Sequence, residues 1–500
     1  MYRIIQLLLL CCALLRLSAE ENRPNIIFII ADDLGIGDLG SYGATKIKTP
    51  NLDRMASEGL RALDAHSSAS VCTPSRYGIL TGRNYWRIKT NWIGEMLVEE
   101  DRPTVAKTLL AVGYQTAYFG KWHLGWGEND PKTPRAHRSD IQWNTEKLPR
   151  GVMECGYQSY FGTPFSANEP PLVFVEDRKV VGYDPADPLI LVDPKVEKYY
   201  GYGTSKGAKA AHEARPLDQI DSIVCTRAAD YIQKNKEKPF YMHVSLVSPH
   251  VPIAPSKEFI NTSQASRYGD YVQQMDAQVG KILEAVEKAG IADKTILFFT
   301  SDNGAILQKD VRDKNHLSNG ALLGQKTDNW EGGVNIPLIV RWPGKIKPGT
   351  LRKQLISLND FYATACAIAQ VDFPTDKVPD SLNQLPVLLE EKSNSIRNEM
   401  TTLAIAKPQI ALRSESWVYI PGQGSSGVST DPKLTWAMQF DEAGFQNSDY
   451  DEKGLIKAGA NAVQLYNLKE DPNQHTNLAE KNPEKIKVLD QRLKEILNEK

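Results

Sequence analysis

Residues 25–33 read Asn-Ile-Ile-Phe-Ile-Ile-Ala-Asp-Asp, an apolar and largely β-branched run that stops at two adjacent carboxylates. Such a run predicts a buried strand, because β-branched side chains pack well on a pleated sheet. A helix signal follows, with proline at position 50 in its first turn and glycine at position 59 just past its end. A strand followed by a helix is the unit from which α/β folds are built.

Further apolar runs at 115–119, 240–247, 296–300 and 336–342 predict more strands, separated by amphipathic stretches. We therefore predict a mostly parallel central sheet with helices on both faces. Each run is followed at once by polar or charged residues, and in open α/β sheets the ligand site lies beyond the carboxyl ends of the strands. The segments expected at one rim of the sheet are Asp32-Asp33, Lys121-Trp122-His123, Ser248-Pro249-His250 and Asp302-Asn303.

The pattern changes after about residue 390. Short strand-like pieces at 410–412, 417–420 and 463–468 lead into a final helix that starts at Pro483. Its apolar residues recur at helical spacing and predict one stripe that packs on a small sheet: Ile486, Leu489, Leu493, Ile496 and Leu497. We predict a catalytic domain over 20–395 and a smaller C-terminal α+β domain over 396–500.

The composition is that of a large globular enzyme. The chain has 500 residues, of which 41% are hydrophobic, so it can bury a substantial core. Its 59 basic and 61 acidic residues leave a net charge of −2, which gives no overall field to attract nucleic acid or anionic membranes. An anionic substrate must therefore be attracted by local charges.

The first 19 residues are predicted to be a signal peptide. Arg3 precedes an apolar run at 4–15, and Ser18-Ala19 offers a cleavage site. The run is too short to span a bilayer, so no stable membrane insertion is expected. We predict an exported protein, in a bacterial periplasm or secreted, in preference to a lysosomal one. Lipid attachment at Cys11 or Cys12 is the alternative.

Four acidic or amide side chains at the predicted rim offer only oxygen ligands: Asp32, Asp33, Asp302 and Asn303. Oxygen-only sites suit a hard cation such as calcium or magnesium. A thiolate would be a poor further ligand for such an ion, whereas an oxygen on the same carbon of Cys72 would fit, which argues that Cys72 is modified. The alternative is that both pairs serve only as turns or caps.

Cys72 opens the sequence Cys-Thr-Pro-Ser-Arg at 72–76, which runs on to Leu-Thr-Gly-Arg at 80–83. Pro74 suits the first turn of a helix over about 74–80, where backbone N–H groups favour an anion. Arg76, four residues after Cys72, would lie on the same helix face. The other mature cysteines, at positions 155, 225 and 366, are predicted to be buried small hydrophobes, with one disulfide as the alternative.

The twelve-residue sequence at 72–83 resembles the signature of the type I sulfatases, in which the motif's cysteine is oxidised to formylglycine and the hydrated aldehyde is the nucleophile. The resemblance extends from about Pro24 to the last helix and implies an alkaline-phosphatase-like fold. It implies calcium, with magnesium as the alternative, bound by the four rim residues and residue 72. A formylglycine-generating enzyme is the implied maturation partner.

The resemblance also carries over to four further motifs. Lys121 and His123 in 120–125 match a lysine that binds sulfate and a histidine that takes the proton of the hydrate; Ser166 in 161–166 matches a serine that hydrogen-bonds sulfate. His250 in 248–252 matches a histidine beside the ester oxygen, and Lys326 in 324–326 matches the second lysine motif. Arg76 would steady the hydrate. Clustered cations stabilise transferring anionic groups, and histidines can pass protons near neutral pH.

The resemblance implies a sulfuric ester hydrolase that acts on a sulfated carbohydrate, either a glycosaminoglycan or an algal polysaccharide fragment. Small aryl sulfates are an alternative substrate class, and a phosphodiesterase or phosphonate monoester hydrolase is the nearest alternative activity. A non-catalytic binder of sulfated glycans and a thiol peptidase are the alternatives from other classes. Asn335 and Ala167-Asn168 depart from the family pattern, and 316–320 and 168–182 are predicted to shape the pocket.

Overall fold

The computed structural model describes residues 23–88, 96–127, 141–169, 171–186, 215–390, 394–405, 409–425 and 443–499. The predicted signal peptide lies outside these residues. The strands are β1 Asn25–Asp32, β2 Leu60–Ala62, β3 Ala65–His66, β4 Gln115–Gly120, β5 Ser159–Gly162, β6 Val175–Glu176, β7 Lys179–Val180, β8 Phe240–Pro249, β9 Thr295–Ser301, β10 Leu338–Arg341, β11 Thr350–Arg352, β12 Ile356–Ser357, β13 Glu399–Ala404, β14 Gln409–Ser414, β15 Trp417–Ile420 and β16 Gln464–Asn467.

The helices alternate with the strands over most of the chain. They are α1 Pro50–Glu58, α2 Cys72–Thr81, α3 Val105–Leu110, α4 Ile220–Asn235, α5 Ser266–Lys288, α6 Lys309–Arg312, α7 Glu331–Val334, α8 Phe361–Ile368, α9 Leu385–Leu388 and α10 Pro483–Asn498. The predicted first helix begins and ends where proline and glycine place it, with Thr49 before it and Gly59 after it.

One large sheet organises the described residues, in the strand order β11-β2-β10-β9-β1-β8-β4-β5-β6-β7. Its centre, β9-β1-β8-β4-β5, is parallel, so the predicted mostly parallel sheet is confirmed. The predicted strand at 336–342 is shorter, and as β10 it runs antiparallel to β9. Because its chain direction is reversed, β10 does not carry residues to the rim formed by the parallel strands.

The first strand lies at the centre of the sheet and separates two apolar cores. Ile26, Phe28 and Ile30 pack in one core, which also receives residues of α2, α3 and α8. The alternate residues Ile27 and Ile29 pack in the other core, with residues of α1, α4 and α5. Successive side chains of a strand point to opposite faces. The continuous apolar run is therefore explained by helices on both faces.

The C-terminal part contains a separate antiparallel sheet, β13-β14-β15-β16. Helix α10 packs on it through Leu489, Leu493 and Ile496, which are buried as predicted. Leu497 is 39% exposed and does not belong to the buried stripe. The boundary near residue 395 stays a prediction. Across the described ranges, the helices are too short or too polar to cross a lipid bilayer.

Candidate active site

The carboxyl ends of the parallel strands meet at one edge of the sheet. Asp32 at the end of β1 lies opposite Pro249 of β8, and Gly120 of β4 lies opposite Ser245 of β8. Strand β9 ends beside β1 on the other side. The segments that this register brings to one edge are Asp32-Asp33, Lys121-Trp122-His123, Ser248-Pro249-His250 and Asp302-Asn303.

Helix α2 brings Cys72 to this edge. The helix begins at Cys72, two residues before the predicted start at Pro74, because proline is tolerated throughout a first turn. It ends at Gly82, whose φ of 63° is accessible to glycine and closes the helix. All its side chains are buried, and no described side chain caps its first turn. The N–H groups beside Cys72 therefore favour an anion.

Carboxylates surround the cysteine. Ligand atoms of Asp32, Cys72 and Asp302 all lie within 4.8 Å of one another, and so do those of Asp32, Asp33 and His250. Asp33 has a φ of 63°, in the left-handed region that is uncommon for a side chain other than glycine. In a regular strand two consecutive side chains would point to opposite faces. The turn at Asp33 lets both neighbouring carboxylates face the same point.

Two buried oxygens at this point fit a hard cation. Asn303 donates from Nδ2 to Asp33 Oδ1 at 2.8 Å, which leaves its Oδ1 facing away from that carboxylate. Asn303 Oδ1 and Asp32 Oδ1 are buried and receive no hydrogen bond from any described residue. Buried polar atoms are seldom left unsatisfied, and an oxygen-only ligand set suits calcium or magnesium. The residues present therefore fit a divalent cation.

Three cations pair with the three carboxylates. Arg76 donates from Nε and Nη2 to Asp302 Oδ2 at 3.0 and 2.7 Å. Lys121 Nζ donates to Asp32 Oδ2 at 2.6 Å, and Lys326 Nζ donates to Asp33 Oδ2 at 2.8 Å. All of these residues are buried. Three cationic side chains are thus gathered at the edge that holds the three carboxylates.

The two aspartates nearest Cys72 have opposite shifts in pKa. Burial would raise the pKa of Asp32, but Lys121 and the other nearby cations outweigh it and hold that pKa below its usual range. Burial raises the pKa of Asp302 to about 8, although Arg76 opposes the rise. A divalent cation between the two carboxylates would favour the ionised form of both.

His123 contacts a residue that the sequence analysis missed. Its Nε2 lies 3.1 Å from Glu169 Oε2, while its Nδ1 is buried and has no hydrogen-bond partner among the described residues. Burial, followed by the charge of Lys121, lowers the pKa of His123 to about 4, and Glu169 opposes that fall. The ring is therefore neutral near pH 7. With Nε2–H donated to the carboxylate, Nδ1 is the basic atom.

Ser166 forms the turn that places Glu169. The backbone N–H of Ser166 donates to Glu169 Oε2 at 3.2 Å, and the N–H of Glu169 donates to the Ser166 carbonyl at 3.0 Å. The same carboxylate oxygen contacts His123. An acidic residue three positions after a serine is a known turn signal, so the sequence contained a cue for the turn between Ser166 and Glu169, although not for the contact with His123. The structure thus places Ser166 beside His123.

His250 differs from His123 in its hydrogen bonds. Its Nδ1 lies 2.6 Å from the Val251 carbonyl and must donate to it, because a carbonyl only accepts. Burial, followed by the charge of Lys326, lowers the pKa of His250. The neutral ring therefore has an unprotonated Nε2, which lies 3.6 Å from Asp33 Oδ2.

The structure also locates two other positions that the sequence predicted near the pocket. The N–H of Gly37, four residues after Asp33, donates to the Ser318 carbonyl at 2.7 Å, so 316–320 packs beside the end of β1. Asn335 donates to Glu331 Oε2 at 3.1 Å, the same oxygen that contacts His66. The structure thus places Asn335 in a buried polar cluster.

The segment that follows Lys326 is held by the C-terminal part of the chain. Trp330 Nε1 donates to Gln464 Oε1 at 2.9 Å, and the N–H of Glu331 donates to Gln474 Oε1 at 2.8 Å. Asn329 donates to the Gln409 carbonyl at 2.8 Å. The position of α7, and of the lysine segment before it, therefore depends on residues eighty or more positions later.

The remaining described cysteines take no part in this site. Cys155, Cys225 and Cys366 are free and buried, as predicted. Burial raises the pKa of the Cys155 and Cys366 thiols to about 12, so both stay protonated and unreactive near neutral pH.

A doubly wound sheet whose carboxyl edge gathers acids, cations and a cysteine at a helix start defines a hydrolase of anionic esters with an alkaline-phosphatase-like fold. The chain belongs to the sulfatase family, since residues 24–371 match the family model described as Sulfatase. It is a sulfuric ester hydrolase. The predicted family, fold and enzyme class are thereby confirmed, and the non-catalytic binder and the thiol peptidase are set aside.

Its relatives cover nearly the same length. The chain is 32% identical over 519 residues to the N-acetylgalactosamine-6-O-sulfatase of Bacteroides thetaiotaomicron, covering 95% of this chain and 94% of that one. It is 31% identical to human N-acetylgalactosamine-6-sulfatase, covering 83% and 78%. A solved structure from work on glycosaminoglycan metabolism by Bacteroides thetaiotaomicron has a TM-score of 0.81 at 28% identity, covering 95% and 99%.

Proposed function

We propose that this sulfatase removes sulfate from glycosaminoglycan fragments, with N-acetylgalactosamine 6-sulfate as the first substrate to test. The observation that supports the chemistry is the buried cluster of three carboxylates and three cations around Cys72. The names of these two relatives support the sugar. The chain's overall charge of −2 is compatible with an anionic substrate because the positive charge is local.

We propose that Cys72 is converted to formylglycine by a formylglycine-generating enzyme. As its hydrate, formylglycine would supply one hydroxyl that attacks sulfur and a second whose loss of a proton returns the aldehyde and frees sulfate. The proposed metal ligands are Asp32, Asp33, Asp302, Asn303 and residue 72, and calcium is preferred because it accepts irregular sets of oxygen ligands. A bound divalent cation would supply Lewis acidity at the attacking oxygen.

The cations are proposed to bind the sulfate and to assist the leaving group. Arg76 and Lys121 lie beside the carboxylates nearest Cys72 and would face the sulfate oxygens. Burial would lower the pKa of Lys326, but the carboxylate of Asp33 outweighs it and raises that pKa, so the ammonium is protonated near pH 7. His250 has no proton on Nε2 in its neutral form. Lys326 is therefore the better donor to the departing alcohol.

His123, Glu169 and Ser166 are proposed to act in the release of sulfate. Glu169 holds His123 by Nε2, which leaves Nδ1 as the base that accepts the proton of the second hydroxyl. Ser166 belongs to the same turn and would hydrogen-bond the sulfate. His123 has a φ of 58°, so its backbone conformation is as uncommon as that of Asp33.

The decisive experiment compares protein made with and without a co-expressed formylglycine-generating enzyme. Mass analysis of the peptide around residue 72 is expected to show sulfur replaced by oxygen, and sulfate release from N-acetylgalactosamine 6-sulfate should scale with the converted fraction. Aryl sulfate and a phosphate monoester complete the substrate panel. Full activity with an unmodified thiol, or preference for the phosphate ester, would overturn the proposal.

Two variants at the same position sharpen this test. Cys72→Ala should retain the fold and lose all turnover. Cys72→Ser has one hydroxyl but no second one, so it should release at most one equivalent of alcohol and then stop. Continued turnover by the serine variant would contradict the role of the second hydroxyl.

We also propose export to a bacterial periplasm or the medium. Cleavage after position 19 can be checked by sequencing the N-terminus of protein recovered from the periplasmic fraction. A mature protein that begins at Met1 would contradict the predicted signal peptide.

A further inference from the structure

Arg215 is a buried cation that has no anionic partner among the described residues. Its side chain is 7% exposed, and Nη2 donates to the Ala167 carbonyl at 2.5 Å. Nε and Nη1 are also buried, and neither has a hydrogen-bond partner in the described parts of the chain. Among the described residues, the side chains that act on its pKa besides burial are the phenols of Tyr271 and Tyr160, whose own raised pKa values keep them uncharged near pH 7. No described carboxylate therefore balances its charge.

This arrangement is costly for the free protein. Arginine is rarely buried unless it is paired, and an uncompensated buried charge is destabilising. Burial lowers the pKa of Arg215 to about 10, so the guanidinium still carries its charge near pH 7. The buried Arg76 and Arg397 show the usual solution, since each donates to an aspartate.

Arg215 lies beside the candidate active site. Its one hydrogen bond to a described residue goes to Ala167, which directly follows Ser166, and Ser166 shares the Glu169 carboxylate with His123. Burial raises the pKa of Tyr271 well above its usual value, and the charges of both Asp32 and Arg215 act on that phenol. The guanidinium is therefore close to the turn that carries Ser166.

We propose that Arg215 is a substrate-binding residue whose guanidinium takes an anionic oxygen group of the bound sugar beside Ser166. The proposal rests on the proposed function and adds a contact to it. A guanidinium binds sulfate and carboxylate through paired N–H groups, and Nε and Nη1 are the nitrogens left for this contact. The anionic group has two sources: the sulfate that is removed, or a second sulfate or carboxylate on the same glycan.

The test uses the converted enzyme and the substitution Arg215→Gln, with Arg227→Gln as the control. Arg227 is an exposed arginine, 3.8 Å from Glu176, outside the site. The Arg215 variant is expected to lose about 10- to 100-fold in kcat/KM, as for a lost charged hydrogen bond, and the control should lose nothing. The variant is assayed on a neutral sugar with one sulfate and on a sugar with a second anionic group. If kcat/KM falls equally on both, Arg215 binds the reacting sulfate. If kcat/KM falls only on the sugar with the second anionic group, Arg215 binds that group.

A binding measurement separates this proposal from a structural role. Without ligand, Arg215→Gln should unfold at the same or a higher temperature than the parent, because it removes an unpaired buried charge. A high concentration of inorganic sulfate should raise the unfolding temperature of the parent more than that of the variant. Unchanged kcat/KM on both sugars, or a fall in ligand-free stability with an unchanged response to sulfate, would overturn the proposal.

Two further measurements test the role of Arg215 if Arg215→Gln does not fold or if the enzyme does not act on sugar sulfates. If Arg215→Gln does not fold, Arg215→Lys is used instead, because lysine retains the charge but lacks the paired N–H groups. A KM higher than that of the parent enzyme supports the proposal, and an unchanged KM opposes it. If the parent enzyme hydrolyses aryl sulfate but no sugar sulfate, the proposed glycan substrate fails. The aryl sulfate and inorganic sulfate arms then still test Arg215.

Discussion

The contact between His123 and Glu169 predicts an unusual kinetic signature for Glu169→Gln. If His123 is the base that releases sulfate, the substitution slows the second half of the reaction and spares the first. The value of kcat should fall, KM should fall with it, and kcat/KM should change little. A burst of alcohol followed by slow turnover should appear in rapid mixing.

The magnitude follows from the geometry. Two unit charges at 3.1 Å would interact by about 5 kcal/mol at an effective dielectric constant of about 20. Glu169 is 21% exposed at its side chain, so water weakens this interaction, and a charged hydrogen bond contributes a net of about 1.5–3 kcal/mol. The expected fall in kcat is therefore about 10- to 100-fold.

The pH dependence of kcat gives a second test, because the direction in which Glu169→Gln shifts it can be predicted. Burial lowers the pKa of His123 to about 4, and the Glu169 carboxylate opposes that fall. Removing the charge should lower the pKa further and shift the acid limb of kcat to lower pH, while the weaker base lowers the plateau. The steady-state measurement is kcat from pH 3 to 8, roughly spanning the unperturbed carboxylate and histidine values.

Two control variants show which results would refute the role assigned to His123. Glu176→Gln removes a carboxylate that is about half exposed and should leave kcat unchanged. Glu169→Asp keeps the charge with a shorter reach and should recover part of the rate. An acid limb that moves to higher pH, or a loss confined to kcat/KM, would refute the assignment of His123 to sulfate release.

Three other predictions concern the metal, a backbone contact and the small domain. Removal of calcium with a chelator should abolish turnover and lower the unfolding temperature, and added calcium should restore both. If the unfolding temperature does not respond to calcium, the proposed calcium site is excluded. Gly304→Ala should lower activity by displacing Asn303, since its Cβ would lie 1.9 Å from the Gly332 carbonyl oxygen; assays of activity and of stabilisation by calcium test this. Leu489→Ala should cost about 2–5 kcal/mol in urea unfolding because that side chain is 4% exposed, whereas Leu497→Ala should cost less than about 0.5 kcal/mol.

The parallel rim could be predicted because its signals are local. A continuous apolar run marks a strand with helices on both faces, and the polar residues that follow the run must then lie at its carboxyl end. Asp32 and Asp302 were located in this way, and the signature at 72–83 added the cysteine. The direction of β10 could not be read from its composition, because direction depends on the path of the connecting chain.

Contacts between residues that are far apart in the sequence could not be predicted. Glu169 reaches His123 from 46 positions away, and Arg215 reaches Ala167 from 48 positions away. Neither pair has a periodic pattern, and each residue alone resembles an ordinary surface charge. Their significance depends on burial and on missing partners, which only three-dimensional coordinates show.

The hydrogen bonds that Gln409, Gln464 and Gln474 accept from the segment after Lys326 affect the order of events during synthesis. A ribosome must make nearly the entire polypeptide before that segment acquires its final supports. In the finished protein every residue of the helix that starts at Cys72 is hidden from solvent. If an enzyme oxidises Cys72, as we propose, it has to reach this residue on the growing or newly released chain, before the three glutamines have formed their hydrogen bonds.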